Sequence, residues 1–165
     1  MNDLTGIPNV DLADFLSGDP AKKAEFVRQL GEAYEDIGFV AVRNHLIDAD
    51  TQANLYEQVK NFFDLPAEVK AQCEDPAIAG QRGYTSFGKE HAKGRNVGDL
   101  KEFWHFGQEV TDGDPIKSEY PDNIPVEELP AFSAVGLKSY KLLEETGKHM
   151  LRAIALFLKL EETYF

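Results

Sequence analysis

"GDLKEFWHFGQEV", Gly98 to Val110, passes abruptly from a charged approach to a run of aromatic side chains, and it holds the only tryptophan and one of four histidines. In an extended chain, period-two alternation puts Glu102, Trp104 and Phe106 on one face and Phe103, His105 and Gly107 on the other. The second face is what a small-molecule pocket wall uses, with shape from Phe103 and one directional hydrogen bond from His105. The same pattern fits a strand with core on both sides, in which a backbone group satisfies His105. The residues alone leave both readings open.

Working outward, "QRGYTSF" (Gln81–Phe87) reads as a companion strand, and the glycines between Asp75 and Gly98 punctuate a hairpin or loop. Upstream, "FVAVR" (Phe39–Arg43) is a third strand candidate, and "IPNVDL" is extended because Pro8 biases Ile7 away from helix. Asp19 and Pro20 have the N-cap and first-position chemistry of a helix carrying Phe26, Leu30, Ala33, Tyr34 and Ile37 on one face, with Gly38 as its stop. A second helix follows, capped by Asp48 or Asp50, with Leu55, Val59, Phe62 and Phe63 as its stripe and Pro66 at its end. "PAEVKAQC" suggests a short third helix. After a proline-interrupted connector, Pro130 opens a last helix expected to run nearly to Phe165. The result is an α+β chain of helices with few strands, and so small a sheet is marginal on its own.

Composition narrows the function. A chain of 165 residues with 42% hydrophobic and 11% aromatic content can fold as one domain. A net charge of −12 disfavours nucleic acid and anionic membrane surfaces. Cys73 is the sole cysteine, so an internal disulfide is impossible. "MNDLTGIPNVDL" lacks signal-peptide character and "AIALFL" is too short to span a bilayer. Together these point to a soluble, cytoplasmic protein.

The candidate chemistry is sparse. A facial iron site on a strand needs His-x-Asp or His-x-Glu, and neither occurs. His45 lies in a turn where Asp48 caps a helix, His91 lies in the loop "GKEHAKG", and His149 is placed to pair with Glu145 one helical turn earlier. No Gly-x-Ser-x-Gly occurs, and Cys73 has no neighbouring base. No catalytic residue and no metal ligand is assigned.

The ordered segments "IPNVDL", "YEDIGFVAVRNHLI", "VKNFFDLPAEVK", "QRGYTSFG" and "GDLKEFWHF" resemble the N-terminal region of the iron(II)/2-oxoglutarate-dependent oxygenases related to isopenicillin N synthase. The signal lies in Gly38-Phe39 with Asn44-His45, Phe62-Phe63 with Leu65-Pro66 and Lys70, Gly83-Tyr84, and Asp99 with Lys101-Glu102. Leu46 departs from the glycine usual after Asn-His. The resemblance implies residues 1–165 as a single N-terminal dioxygenase-type domain. Its fold would be a helical layer with the first strands of an incomplete double-stranded β-helix, or jelly roll, ending in a long helix. It also implies iron(II) and 2-oxoglutarate as cofactors not bound by this chain alone, because the family's His-x-Asp, distal His and Arg-x-Ser belong to a jelly-roll half expected beyond Phe165. It implies a small-molecule substrate met by Gln81, Thr85, Phe103 and His105, with Glu102 partnering a nearby base and Tyr84 packing. An exposed docking surface would favour self-association. The alternative is a stand-alone, non-catalytic binding or interaction module.

Overall fold

A computed structural model describes residues 6–91, 94 and 97–165. The order is β1 (Asn9–Asp11), α1 (Leu12–Leu16), α2 (Pro20–Asp36), β2 (Ala41–Arg43), α3 (Ala49–Phe63), α4 (Ala67–Ala71), β3 (Gly83–Thr85), β4 (Phe103–His105) and α5 (Pro130–Phe157), with 3₁₀ turns at Pro76–Ile78 and Lys117–Glu119. This is a mixed fold of helices and two two-stranded sheets, closing on a long helix. The chain divides into one compact unit of residues 1–49 and 141–165 and another of residues 50–140.

In the first unit, β1 and β2 pair in parallel, Val10 opposite Val42. A parallel pair needs a crossover, and α1 and α2 supply it. Asp11 ends β1 and caps α1 by accepting the Ala13 N–H at 3.0 Å, while its carboxylate also takes Asn44 Nδ2 at 2.8 Å. Asp19 caps α2 in the same way, with Pro20 inside the first turn, as its sequence foretells. Gly38, at φ 83°, stops α2 by turning its N–H back to the Ala33 carbonyl. The core gathers Val10, Leu12, Phe15, Phe26, Leu30 and Ala153, all buried. Gly31 lets α5 approach closely, because a Cβ there would lie 2.1 Å from the Phe157 ring.

One expectation needs correction, and the departure at Leu46 has a local explanation. The last helix stops at Phe157, because Lys159 adopts a left-handed conformation (φ 60°) and the Leu160 N–H reaches back to the Ala155 carbonyl. That geometry usually recruits glycine, so a lysine there hid the stop. At the Asn-His turn, the left-handed residue is Asn44 (φ 51°), and Leu46 donates its N–H to Thr146 Oγ1. Leu46 therefore needs no glycine-like freedom.

The second unit is built on an aromatic pile. Phe62 of α3 stacks on Phe132 of α5 at 4.8 Å and meets Trp104 edge-on at 4.7 Å. Tyr84, Cys73 and Val126 complete the buried cluster. β3 and β4 pair antiparallel, Gly83 opposite His105, Tyr84 opposite Trp104 and Thr85 opposite Phe103. Both strands are shorter than the sequence suggests. Gly83 at φ 76° ends regular pairing on one side, and at Gly107 the partner is a side chain: Asn123 Oδ1 takes the Gly107 N–H at 2.8 Å and Asn123 Nδ2 donates to its carbonyl at 2.9 Å. An asparagine amide thus stands in for a strand neighbour.

Candidate functional site

The two faces of the β3–β4 ribbon have different chemistry. On the inner face Tyr84, Trp104 and Phe106 pack into the aromatic cluster. At its edge Lys70, although buried, donates to Glu102 at 2.8 Å and to the Phe63 carbonyl at 3.1 Å, and lies over the Phe63 and Tyr84 rings. The Tyr84 hydroxyl donates to the same Glu102 oxygen. Burial alone would raise the Glu102 pKa, but the hydrogen bonds from Lys70 and Tyr84 outweigh it and hold the carboxyl below its usual range. Burial, and then donation to Glu102, push the Tyr84 phenol well above its ordinary value. These groups are locked as an ion pair with a neutral phenol and hold the ribbon in place.

On the outer face Gly83 and Thr85 are buried, Phe103 is half-buried and His105 is exposed. Phe103 and His105 lie ring to ring at 4.8 Å, with His105 exposed. His105 Nδ1 lies 2.7 Å from the Gly80 carbonyl. A carbonyl only accepts, so Nδ1 is the donor in this contact, and in the corresponding neutral tautomer Nε2 is left to accept. The backbone satisfaction that would make His105 an idle histidine therefore uses only one of its nitrogens and orients the other. Thr85 is buried, and its Oγ1 has no hydrogen-bond partner. It helps line a cleft of about 310 Å³ together with Glu74, Asp75, Pro76, Ala79, Gly80, Tyr84, Lys89 and Glu90. Glu74 accepts the Ser86 N–H at 2.6 Å and pairs with Lys89 at 3.6 Å. Burial opposes its ionisation, but the bonds from Ser86 and the Lys89 charge prevail and lower its pKa.

Of the four residues singled out in the sequence, Thr85, Phe103 and His105 share the ribbon, and only Thr85 lines this cleft. Gln81 is exposed, and its carbonyl accepts from Arg82. The Gly80 carbonyl, Glu74 and Lys89 were not foreseen, and the one signal for them was the glycine punctuation of the loop. Among the described residues no three of His, Cys, Asp and Glu converge as a metal-holding group. By themselves the described residues do not fit an iron centre. His149 does sit 3.7 Å from Glu145, as its spacing suggests, and its Nδ1 also accepts from Arg152 at 3.1 Å. The loop containing His91 is described only in part, since residues 92, 93, 95 and 96 lie outside the described residues.

Comparison with known proteins defines the class. The family described as non-haem dioxygenase in morphine synthesis, N-terminal, matches residues 7–128. The chain belongs to this family and corresponds to the N-terminal region of the 2-oxoglutarate/iron(II) oxygenases. A 2-oxoglutarate-Fe(II) type oxidoreductase of Metarhizium rileyi is 31% identical over 161 residues, 90% of this chain and 44% of its own length. A Caulobacter crescentus structure described as a 2OG-Fe(II) oxygenase family protein superposes with a TM-score of 0.84 at 34% identity, covering 97% of this chain and 51% of that one. A Neurospora crassa structure solved with alpha-KG and thymine shares the fold, with a TM-score of 0.79 at 24% identity over 100% of this chain and 52% of that one. The chain spans about half the length of the curated relatives it matches. These relatives imply iron and 2-oxoglutarate as the family's cofactors.

Proposed function

We propose that residues 1–165 act as one N-terminal dioxygenase-type domain, a helical layer bearing the first strands of an incomplete jelly roll. In this reading the domain walls the mouth through which a small molecule reaches an iron(II)/2-oxoglutarate centre held outside these residues. The substrate contacts are Gln81, Thr85, Phe103 and His105. The observation that carries this reading is His105, exposed on the ribbon's outer face beside Phe103 and oriented by the Gly80 carbonyl so that Nε2 accepts. A ring held this way selects a ligand offering a donor, and Phe103 supplies apolar surface. The chain's task is then to bind and orient, without a proton transfer or nucleophile of its own. Supplied with iron(II), 2-oxoglutarate and ascorbate, the purified chain should form no succinate above a metal-free control, and metal-dependent succinate would overturn the proposal.

The second reading is a stand-alone, non-catalytic binding or interaction module, which should keep its apolar surface covered and stay monodisperse. An apolar cleft of about 330 Å³ in the first unit bears on the choice, because an exposed apolar surface favours the first reading. The cleft is lined by Gly31, Tyr34, Glu35, Ile154, Phe157 and Leu158. Tyr34 and Leu158 are exposed there. A monomeric mass by light scattering at high concentration would favour the module, and self-association would favour the N-terminal domain. Both readings place the protein in the cytoplasm, consistent with its acidic charge and single cysteine. Among the described residues no helix is long and apolar enough to cross a membrane.

A further inference from the structure

The cleft beside β3 carries more negative charge than its own lining offsets. Glu74, Asp75 and Glu90 line it with a single cation, Lys89. Two of these carboxylates are occupied. Glu90 takes Lys101 at 2.7 Å, and Asp75 caps the 3₁₀ turn by accepting the Ala77 N–H at 2.9 Å. Glu74 is held differently. Its side chain is only 19% exposed, and Oε1 is fixed against the end of β3 by the Ser86 N–H at 2.6 Å. Its other oxygen, Oε2, pairs with Lys89 at 3.6 Å, whereas a charge-assisted hydrogen bond spans about 2.7–2.9 Å. The Lys89 side chain is 59% exposed, so water and competing cations can loosen that pair.

A second observation points to the same place. Thr85, the residue before the amide that Glu74 holds, is 8% exposed and lines the same cleft. Its Oγ1 has no hydrogen-bond partner among the described residues. That oxygen lies toward Gly80, another lining residue, at 3.0 Å from where a Cβ there would stand. An ionised carboxylate and a spare hydroxyl offer acceptors to one donor-rich group, and an ammonium brings three donors and the complementary charge. We propose that Glu74 and Thr85 form a subsite for the primary ammonium group of a small-molecule substrate, which takes the place of Lys89 at Glu74. The inference rests on the reading of the ribbon as a substrate wall and adds the charge class of that substrate.

The test is ¹⁵N NMR of the 165-residue chain, read at the Thr85, Ser86, Phe103 and His105 amides. Benzylammonium, benzyl alcohol and phenylacetate are titrated at matched ionic strength. Benzylammonium should shift Thr85 and Ser86 saturably, with an affinity about tenfold or more above that of benzyl alcohol, and phenylacetate should shift neither. Glu74→Gln should remove that preference. Lys89→Met should strengthen benzylammonium binding, because it deletes the competing cation, a gain that a merely structural Glu74–Lys89 pair would not give. Thr85→Val, which deletes the spare hydroxyl, should weaken benzylammonium about threefold without loss of stability. Should Glu74→Gln fail to fold, Lys89→Met and Thr85→Val decide the matter. Equal affinity for benzyl alcohol, equal binding of phenylacetate, or no gain in Lys89→Met would each overturn the proposal. The wall is read separately: benzyl alcohol shifts at Phe103 and His105 without an ammonium preference refute the subsite alone. An ammonium preference with both of those amides silent refutes the wall and keeps Glu74 and Thr85 as an ammonium site.

Discussion

The inner and outer faces of one short ribbon, β3 with β4, divide the work of the second unit. Inside, rings and an ion pair pack together: Trp104 lies against Phe62 and Phe132 and Lys70 meets Glu102, although Trp104 Nε1 has no hydrogen-bond partner. Outside, Phe103 lies against the His105 ring and under the Lys101 ammonium, Thr85 Oγ1 has no hydrogen-bond partner, and His105 directs one nitrogen inward to Gly80. Strands only three residues long thus present one face built into the aromatic core and another with the exposed His105. In the proposed reading, alternation locates a binding wall because the less packed of the two faces is the one that meets ligand.

The sharpest way to break the inner face is Phe132→Ala. Phe132 is fully buried and stacked on Phe62, so the loss should be about 3–5 kcal/mol, read as a lower denaturation midpoint. A loss below ~1 kcal/mol would mean that the pile is not the core. Lys70→Met comes next, because it strands the Glu102 carboxylate at a site where its side chain is only 17% exposed. About 2–3 kcal/mol should go at neutral pH. The Glu102 pKa is lowered in the fold, so its contribution is present above the unfolded carboxyl value and fades as pH falls through the folded one. The gap between parent and Lys70→Met should therefore shrink on acidification, and a gap constant from pH 7 to pH 3 would contradict the ion-pair account.

The smallest effects belong to the outer face. His105→Ala should change stability by no more than ~0.5 kcal/mol, since the ring is exposed and its single bond is to a backbone carbonyl. The account is sharpened by ¹⁵N chemical shifts of the His105 ring at pH 8, which should show Nδ1 protonated and Nε2 bare. The opposite tautomer would detach His105 from Gly80 and leave it without orientation.

Much of this was legible before the structure. Asp19, Pro20 and Gly38 state the limits of α2 through their own backbone chemistry, and the spacing of Val59, Phe62 and Phe63 states which face of α3 is buried. Alternation correctly sorted Trp104 and Phe106 from Phe103 and His105. The remainder depends on contacts distant in sequence. The parallel pairing of β1 with β2 rests on three residues of each strand, too few to carry a pattern. The Asn123 amide that replaces a strand beside Gly107 exists only once residues far apart are brought together. Lys159 in a left-handed turn contradicts local preference, so sequence could not have placed that helix end.

The division between faces is tested most directly by mapping small-fragment binding onto the backbone amides of the second unit by NMR. The account predicts that shifts cluster at Thr85, Phe103 and His105 and that His105→Ala removes them, while stability is unchanged. Shifts confined to other surfaces, or persisting undiminished without the His105 ring, would contradict it.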